Sequence, residues 1–274
     1  MALLALASTK GSPGVSTLAL ALAGLLPWPS LVADLDPAGS DLALRLPAAD
    51  GRPLDPDLGL LSLGAAVRRG GVNVADHVQQ LSGGLPVLVG MSTPEQGSGL
   101  GPVWAHVAAA LAAHPGTVVA DCGRIGSGPV TLPVLAAADA VLLVARAATD
   151  QLAHLRERVR ALHEEIRRTT GTGPNLGVVL IAPERTRRAG PDVQRLLDAA
   201  GLPARVVGVV ADDPRGAGVL YGTARGAAGR TTLIRSVRAL LPAVAGLLGP
   251  SATGPAPTSA SATPATSPTG IEVR

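Results

Sequence analysis

The stretch LALASTKGSPGVSTLALALA, residues 4–23, reads as a buried strand, a glycine-bearing loop and the opening of a helix. The apolar run ends at Ser8, the loop holds Lys10, Gly11, Ser12, Pro13 and Gly14, and a helical pattern opens at Val15-Ser16-Thr17. Such a turn aims backbone N–H groups and a helix N-terminus at one point, which holds an anion without any side-chain charge. The usual phosphate-binding loop runs G-x-x-x-x-G-K-[ST], with its lysine on the β- and γ-phosphates. Here Gly14 and Ser16 keep their places, Val15 fills the lysine slot, and a lysine stands five residues earlier at Lys10. Ser16 offers a hydroxyl to Mg2+ and Thr17 one to a phosphate. A glycine-bearing strand–helix turn that binds nothing would share this local sequence.

Lys10 is the one lysine of the chain; the other 22 of its 23 basic residues are arginine. A compact ammonium suits a phosphate, and the loop is where it lies. The 274 residues suffice for one large domain or two small ones, and 47% are hydrophobic, enough for a sizeable core. That core must be aliphatic, because Trp28, Trp104 and Tyr221 are the only aromatics. The same scarcity argues against modules that stack single-stranded bases. The lone Cys122 excludes an internal disulfide and fits a reducing compartment. The apolar start lacks a basic leader and is broken by Gly-Ser-Pro-Gly, and no stretch offers 18 clean apolar residues. A cytoplasmic chain with no stable membrane span is expected.

Apolar, β-rich runs recur at 2–8, 30–34, 85–89, 117–121, 140–145, 176–182 and 205–210. Helical patterns lie at 15–26, 101–113, 150–169, 190–200 and 230–248, and 47–58 reads as loop. Continuous apolar strands alternating with helices predict an α/β fold: a mostly parallel, twisted sheet of about seven strands covered by helices on both faces. From Gly249 the composition turns to Ser, Thr, Ala, Pro and Gly. The reading is therefore one domain over 1–248 and a disordered tail over 249–274.

Two further segments bear on the loop. LVADLDPAGSD, residues 31–41, puts Asp34 and Asp36 at the end of the second strand. TVVADCGRIGSG, residues 117–128, puts Asp121 at the end of another apolar strand. Ligands of open parallel sheets sit beyond the carboxyl ends of the strands, so these carboxylates can face the loop. They suit Mg2+, directly or through water, and orientation of an attacking water. Each also reads as an ordinary polar strand end. Cys122 reads as a small buried filler, and the five histidines show no metal spacing.

In this order the segments resemble the ParA/MinD superfamily of deviant Walker A, P-loop NTPase-like ATPases, whose loop reads K-G-G-x-G-K-[ST]. Lys10 matches the family's early signature lysine, and Val15 takes the place of its second lysine. DLDPAGSD resembles the D-x-D-P-Q-G segment, and VVADCG with LAAADAVLLVARA resembles the D-x-P-x-G strand and the strand after it. VVGVVADDPR, which carries Asp212 and Pro214, resembles the closing segment. The resemblance spans roughly residues 2–248. It implies ATP or ADP with Mg2+ as cofactors, held by Lys10 through Thr17 together with Asp212 and Pro214. Ser16, Asp34 and Asp121 would serve the metal, and Lys10 and Asp36 the catalysis. It implies a homodimer formed through the nucleotide, with Lys10 reaching phosphate in trans, and spatial positioning as the function: chromosome partitioning, or cell-division or polar placement.

The departures point to weak or lost hydrolysis. Val15 removes the in-cis lysine, the family's adenine-binding Asn is absent from VVLIAPE, and Gly123-Arg124 stands where a proline is usual. A degraded scaffold for pilus or secretion assembly, of the TadZ and CpaE kind, is the alternative reading. Residues 156–195 hold nine arginines against five acidic residues, which suits nonspecific DNA or a solvated helix face. The last helix reads as core-packing and not as a membrane anchor. Removing residues 249–274 should leave the domain folded. Thermal melts check this, and a midpoint lower by more than about 5 °C would show that the tail docks.

Overall fold

In the computed structural model, which describes residues 1–70, 72–186 and 188–249, all seven residues of β1 (Ala2–Ser8) are buried. Arg187 and the tail from residue 250 lie outside the described residues. Side chains alternate along a strand. Leu3, Ala5 and Ala7 therefore join the apolar cluster on one face of the sheet, while Ala2, Leu4 and Leu6 join the other. This explains why the run is continuously apolar and not alternating.

The chain continues through α1 (Val15–Leu25), β2 (Ser30–Asp34), α2 (Leu42–Arg45) and α3 (Leu60–Val67) to β3 (Gln79–Gln80), β4 (Pro86–Leu88) and α4 (Pro94–Leu100). Next come α5 (Val103–Ala112), β5 (Thr117–Arg124), α6 (Leu132–Ala137), β6 (Ala140–Arg146) and α7 (Thr149–Thr170). The last elements are β7 (Leu176–Ala182), α8 (Ala189–Ala199), β8 (Ala204–Ala211), α9 (Pro214–Leu220) and α10 (Thr232–Leu248). The strands form one sheet in the order β3-β4-β2-β5-β1-β6-β7-β8, parallel throughout except for β3.

The expected α/β sandwich is therefore present, with eight strands in place of about seven. The addition is β3, where Gln79 and Gln80 pair antiparallel with Val87 and Pro86 at the sheet edge. Two polar residues carry no periodicity by which to find them. One face is covered by α3, α5, α6, α7 and α8, and the other by α1 and α10, with Leu42 of α2. Helix α10 buries Leu233, Ile234, Val237, Leu240, Val244 and Leu248, the core-packing role expected of it. Trp104 is the largest fully buried side chain, and its Nε1 donates to the carbonyl of Gly97 at 3.2 Å. No helix among the described residues is long and apolar enough to cross a membrane.

Candidate functional site

The loop between β1 and α1 turns at two glycines in the left-handed region, Gly11 at φ 67° and Gly14 at φ 102°. Gly14 is the N-cap of α1 and has no side chain to close the first turn, so the helix start is uncapped. Val15 opens the helix with its side chain packed into the apolar cluster, 7% exposed. In the slot of a phosphate lysine this chain has a core residue, and only its backbone faces the loop.

Because β1 is flanked by β5, and β5 by β2, the loop lies beside the carboxyl ends of both acidic strands. Asp34 and Asp121 are direct partners in the β2–β5 register, and each is almost wholly buried. Burial raises the Asp34 pKa to about 7, with repulsion from Asp121 adding to it. The Ser40 hydroxyl, which donates to Asp34 Oδ2, and the N–H of Asp36 act in the opposite direction. Burial likewise raises Asp121 to about 6, against the nearby Ser16 hydroxyl and the N–H of Gly123, which donates to Oδ1 at 2.9 Å. Asp121 Oδ2 is closed from water and has no hydrogen-bond partner.

Asp36 accepts from the N–H of Ala38 at 2.9 Å and lies against Gly123. Its pKa is raised, chiefly by burial. A Cβ on Gly123 would lie 2.1 Å from the Asp36 carboxyl carbon, and Gly123 has φ 61°. That explains a glycine at position 123, where the D-x-P-x-G pattern has its proline. The Cys122 thiol is fully buried and burial pushes its pKa up, which leaves it a filler and not a nucleophile.

On the other side of the loop, Ser12, Pro13, Gly14, Thr17, Asp212 and Pro214 share a cavity of about 220 Å3. Arg146, at the end of β6, enters the same cavity and pairs with Asp212 at 2.5 Å. In the sequence, a charge ending the apolar run VLLVAR is the only sign of this cation, and it does not tell Arg146 from any other strand-end arginine. Asp213, beside it, caps α9 by accepting from Gly216 N at 2.8 Å. Thr17 Oγ1 lies 3.3 Å from the Tyr221 hydroxyl, and the Arg45 guanidinium stands 5.4 Å from the Tyr221 ring centre. Lys10 is exposed, and its Nζ lies 3.0 Å from His154 Nε2 on α7. The structure thus groups Ser16, Asp34, Asp36 and Asp121 on the β2–β5 side and the cavity residues on the β6–β8 side, while Lys10 is held apart from both.

Among solved structures, the MinD cell-division ATPase of Pyrococcus furiosus superposes with a TM-score of 0.65 at 20% identity, over 89% of this chain and 98% of the other. The ParA family ATPase of Chlorobium tepidum TLS gives 0.64 at 16% identity, over 88% and 97%. The chain has the ParA/MinD fold. MinD of Pyrococcus horikoshii OT3, solved with Mg-ADP, gives 0.65 at 17% identity, over 90% and 97%. No family model and no curated protein matches the sequence.

The residues fit a divalent cation. Two buried carboxylates held against their charge, one with an orphaned oxygen, are what a cation beside phosphates relieves. Among the described residues no three His, Cys, Asp or Glu side chains are placed to hold a metal ion, so a cation here would need ligands from outside the chain.

The raised carboxylates have a consequence for stability. Between the ordinary carboxylate range near 4 and pH about 7, the folded chain keeps protons that the unfolded chain has lost. Stability without a cation should therefore be fullest at low pH and fall through this window, by up to about 1.4 kcal/mol per pH unit for each retained proton. Thermal melts with a chelator at pH 5 to 8 should show that fall, and Asp121→Asn should flatten it.

Proposed function

We propose that the chain is a nucleotide-binding protein of the ParA/MinD kind that positions cellular cargo. It would dimerise around Mg-ATP and hydrolyse it weakly or not at all. The observation that carries this is the buried Asp34–Asp121 pair beside an uncapped helix N-terminus, with Val15 packed where a lysine would complete the machinery. Backbone N–H groups of the loop would bind the phosphates, Ser16 and Asp121 would hold the metal with Asp34 behind them, and Asp36 would orient water. The cavity with Asp212 and Pro214 would take the nucleoside. Mg2+ would supply neutralisation of phosphate charge. Charge stabilisation and positioning carry phosphoryl transfer, so loss of the in-cis cation accounts for slow turnover.

Lys10 is not among the residues lining the cavity and lies beside His154, which would leave it to serve a second copy. Lys10→Ala should abolish Mg-ATP-dependent dimerisation in sedimentation experiments. Val15→Lys buries an ammonium, so it should lower the melting temperature without nucleotide. It should also tighten ATP binding roughly ten- to 150-fold through a charge-assisted bond of about 1.5–3 kcal/mol. If wild type and both variants bind no ATP in calorimetry, the scaffold reading of the pilus-assembly kind takes its place. The Arg146–Asp212 pair, which already occupies the nucleoside cavity, favours that alternative.

The platform for positioning is read from charge. In the arginine-rich stretch, Arg156, Arg158, Arg160 and Arg195 are paired with acidic neighbours. Residues 214–249 instead carry Arg215, Arg225, Arg230, Arg235 and Arg238, all exposed, and no Asp or Glu. This segment suits nonspecific binding of DNA phosphates better than the stretch singled out by sequence. Arg225→Ala with Arg230→Ala should weaken DNA binding and reduce the log–log salt slope by about one per lost contact. Absence of DNA binding at low salt would leave a protein scaffold as the platform.

A further inference from the structure

From Thr117 to Ile125 the chain is buried at every residue but one, Arg124 at the end of β5. Its neighbours on either side fix where this arginine stands. Gly123 before it lies against the Asp36 carboxyl, and Ile125 after it is buried and donates its N–H to the Ser8 carbonyl at 2.9 Å. Arg124 is also the register partner of Ser8, the last residue of β1 before the loop. Its backbone is thus held between the Asp36 carboxylate and the start of the loop.

The guanidinium is not spent on the fold. It makes no ion pair with any described residue, although Asp34, Asp36 and Asp121 lie at the ends of the same neighbouring strands. Arg146 and Lys10, by contrast, are each tied to a partner. The charge of Arg124 does reach Asp36: burial raises that carboxyl's pKa, and the Ala38 N–H and the Arg124 guanidinium act against it. An arginine fork matches phosphate geometry and can hold two of its oxygens at once. Arg124 does not refill the slot of Val15, which opens α1 with its side chain in the apolar cluster. It adds a cation at the Asp36 end instead.

We infer, resting on the nucleotide reading, that Arg124 binds the terminal phosphate in cis and so distinguishes a nucleoside triphosphate from a diphosphate. The reason is its place. On that reading Asp36 orients the water that attacks the terminal phosphate, and Arg124 is the cation beside Asp36, while the loop N–H groups serve the phosphates nearer the sugar. In calorimetry with Mg2+, Arg124→Ala should weaken binding of the non-hydrolysable analogue adenylyl imidodiphosphate about ten-fold or more, and of ADP no more than about two-fold. Arg124→Lys, which keeps the charge and loses the fork, should fall between wild type and Arg124→Ala. Both variants should melt with wild type in the absence of nucleotide, because the side chain is exposed and makes no ion pair with a described residue. Equal losses for the two nucleotides, no loss for either, or a lowered melting temperature in both variants would overturn the inference and leave the nucleotide reading in place. A wild-type chain that binds neither nucleotide would overturn both.

Discussion

Two carboxylates set in register at the ends of adjacent parallel strands, both shut away from solvent, constrain everything around the loop. Neither can ionise cheaply there, and repulsion raises the cost further. The surrounding chain is shaped to hold them. Ser40 donates to Asp34, the Gly123 N–H donates to Asp121, and Leu35 N continues the ladder by donating to the Asp121 carbonyl at 2.8 Å. Glycines stand where the backbone passes closest: a Cβ on Gly90 would lie 2.8 Å from the Asp34 carbonyl oxygen, and one on Gly123 would strike Asp36. A fold that keeps such a pair without a partnered cation keeps a stability deficit, and a ligand-bound cation removes it.

From that constraint the site divides in two. The strand order places the acidic pair on one side of β1 and the cavity with Arg146 and Asp212 on the other, with the uncapped start of α1 between them. A nucleotide laid across this line would put its phosphates over the helix start and its base towards β8. Val15 contributes packing to this arrangement and no charge; Arg124 acts on Asp36 from the acidic side, while Arg146 is tied to Asp212 and Lys10 to His154. Both would have to exchange partners to serve phosphate. On the proposed reading, weak hydrolysis would have its structural origin here.

The sheet was legible because its central strands are buried on both faces, so that short runs such as Ala2–Ser8 are continuously apolar and recur between helical patterns. Long helices were legible from Leu155, Val159, Leu162 and Ile166, which keep one face of α7 apolar. Short helices were not. Helix α3 and helix α4 carry glycines at 64, 97 and 99, so their local signal is that of loops and tertiary contact decides their form. The acidic residues were legible as strand ends, but their depth of burial was not, since it depends on which strands become neighbours. The Arg146–Asp212 and Lys10–His154 contacts join residues 66 and 144 positions apart, and no spacing rule reaches that far.

The account rests on Asp34 and Asp121 exchanging protons for a cation when nucleotide binds. Calorimetry of Mg-ADP binding to the full chain near pH 6.5, in buffers of different ionisation enthalpy, reads that exchange directly. The account predicts Mg2+-dependent binding with net release of protons, reduced in Asp121→Asn. Binding with no proton release, or with the same affinity in the presence of a chelator, would contradict it.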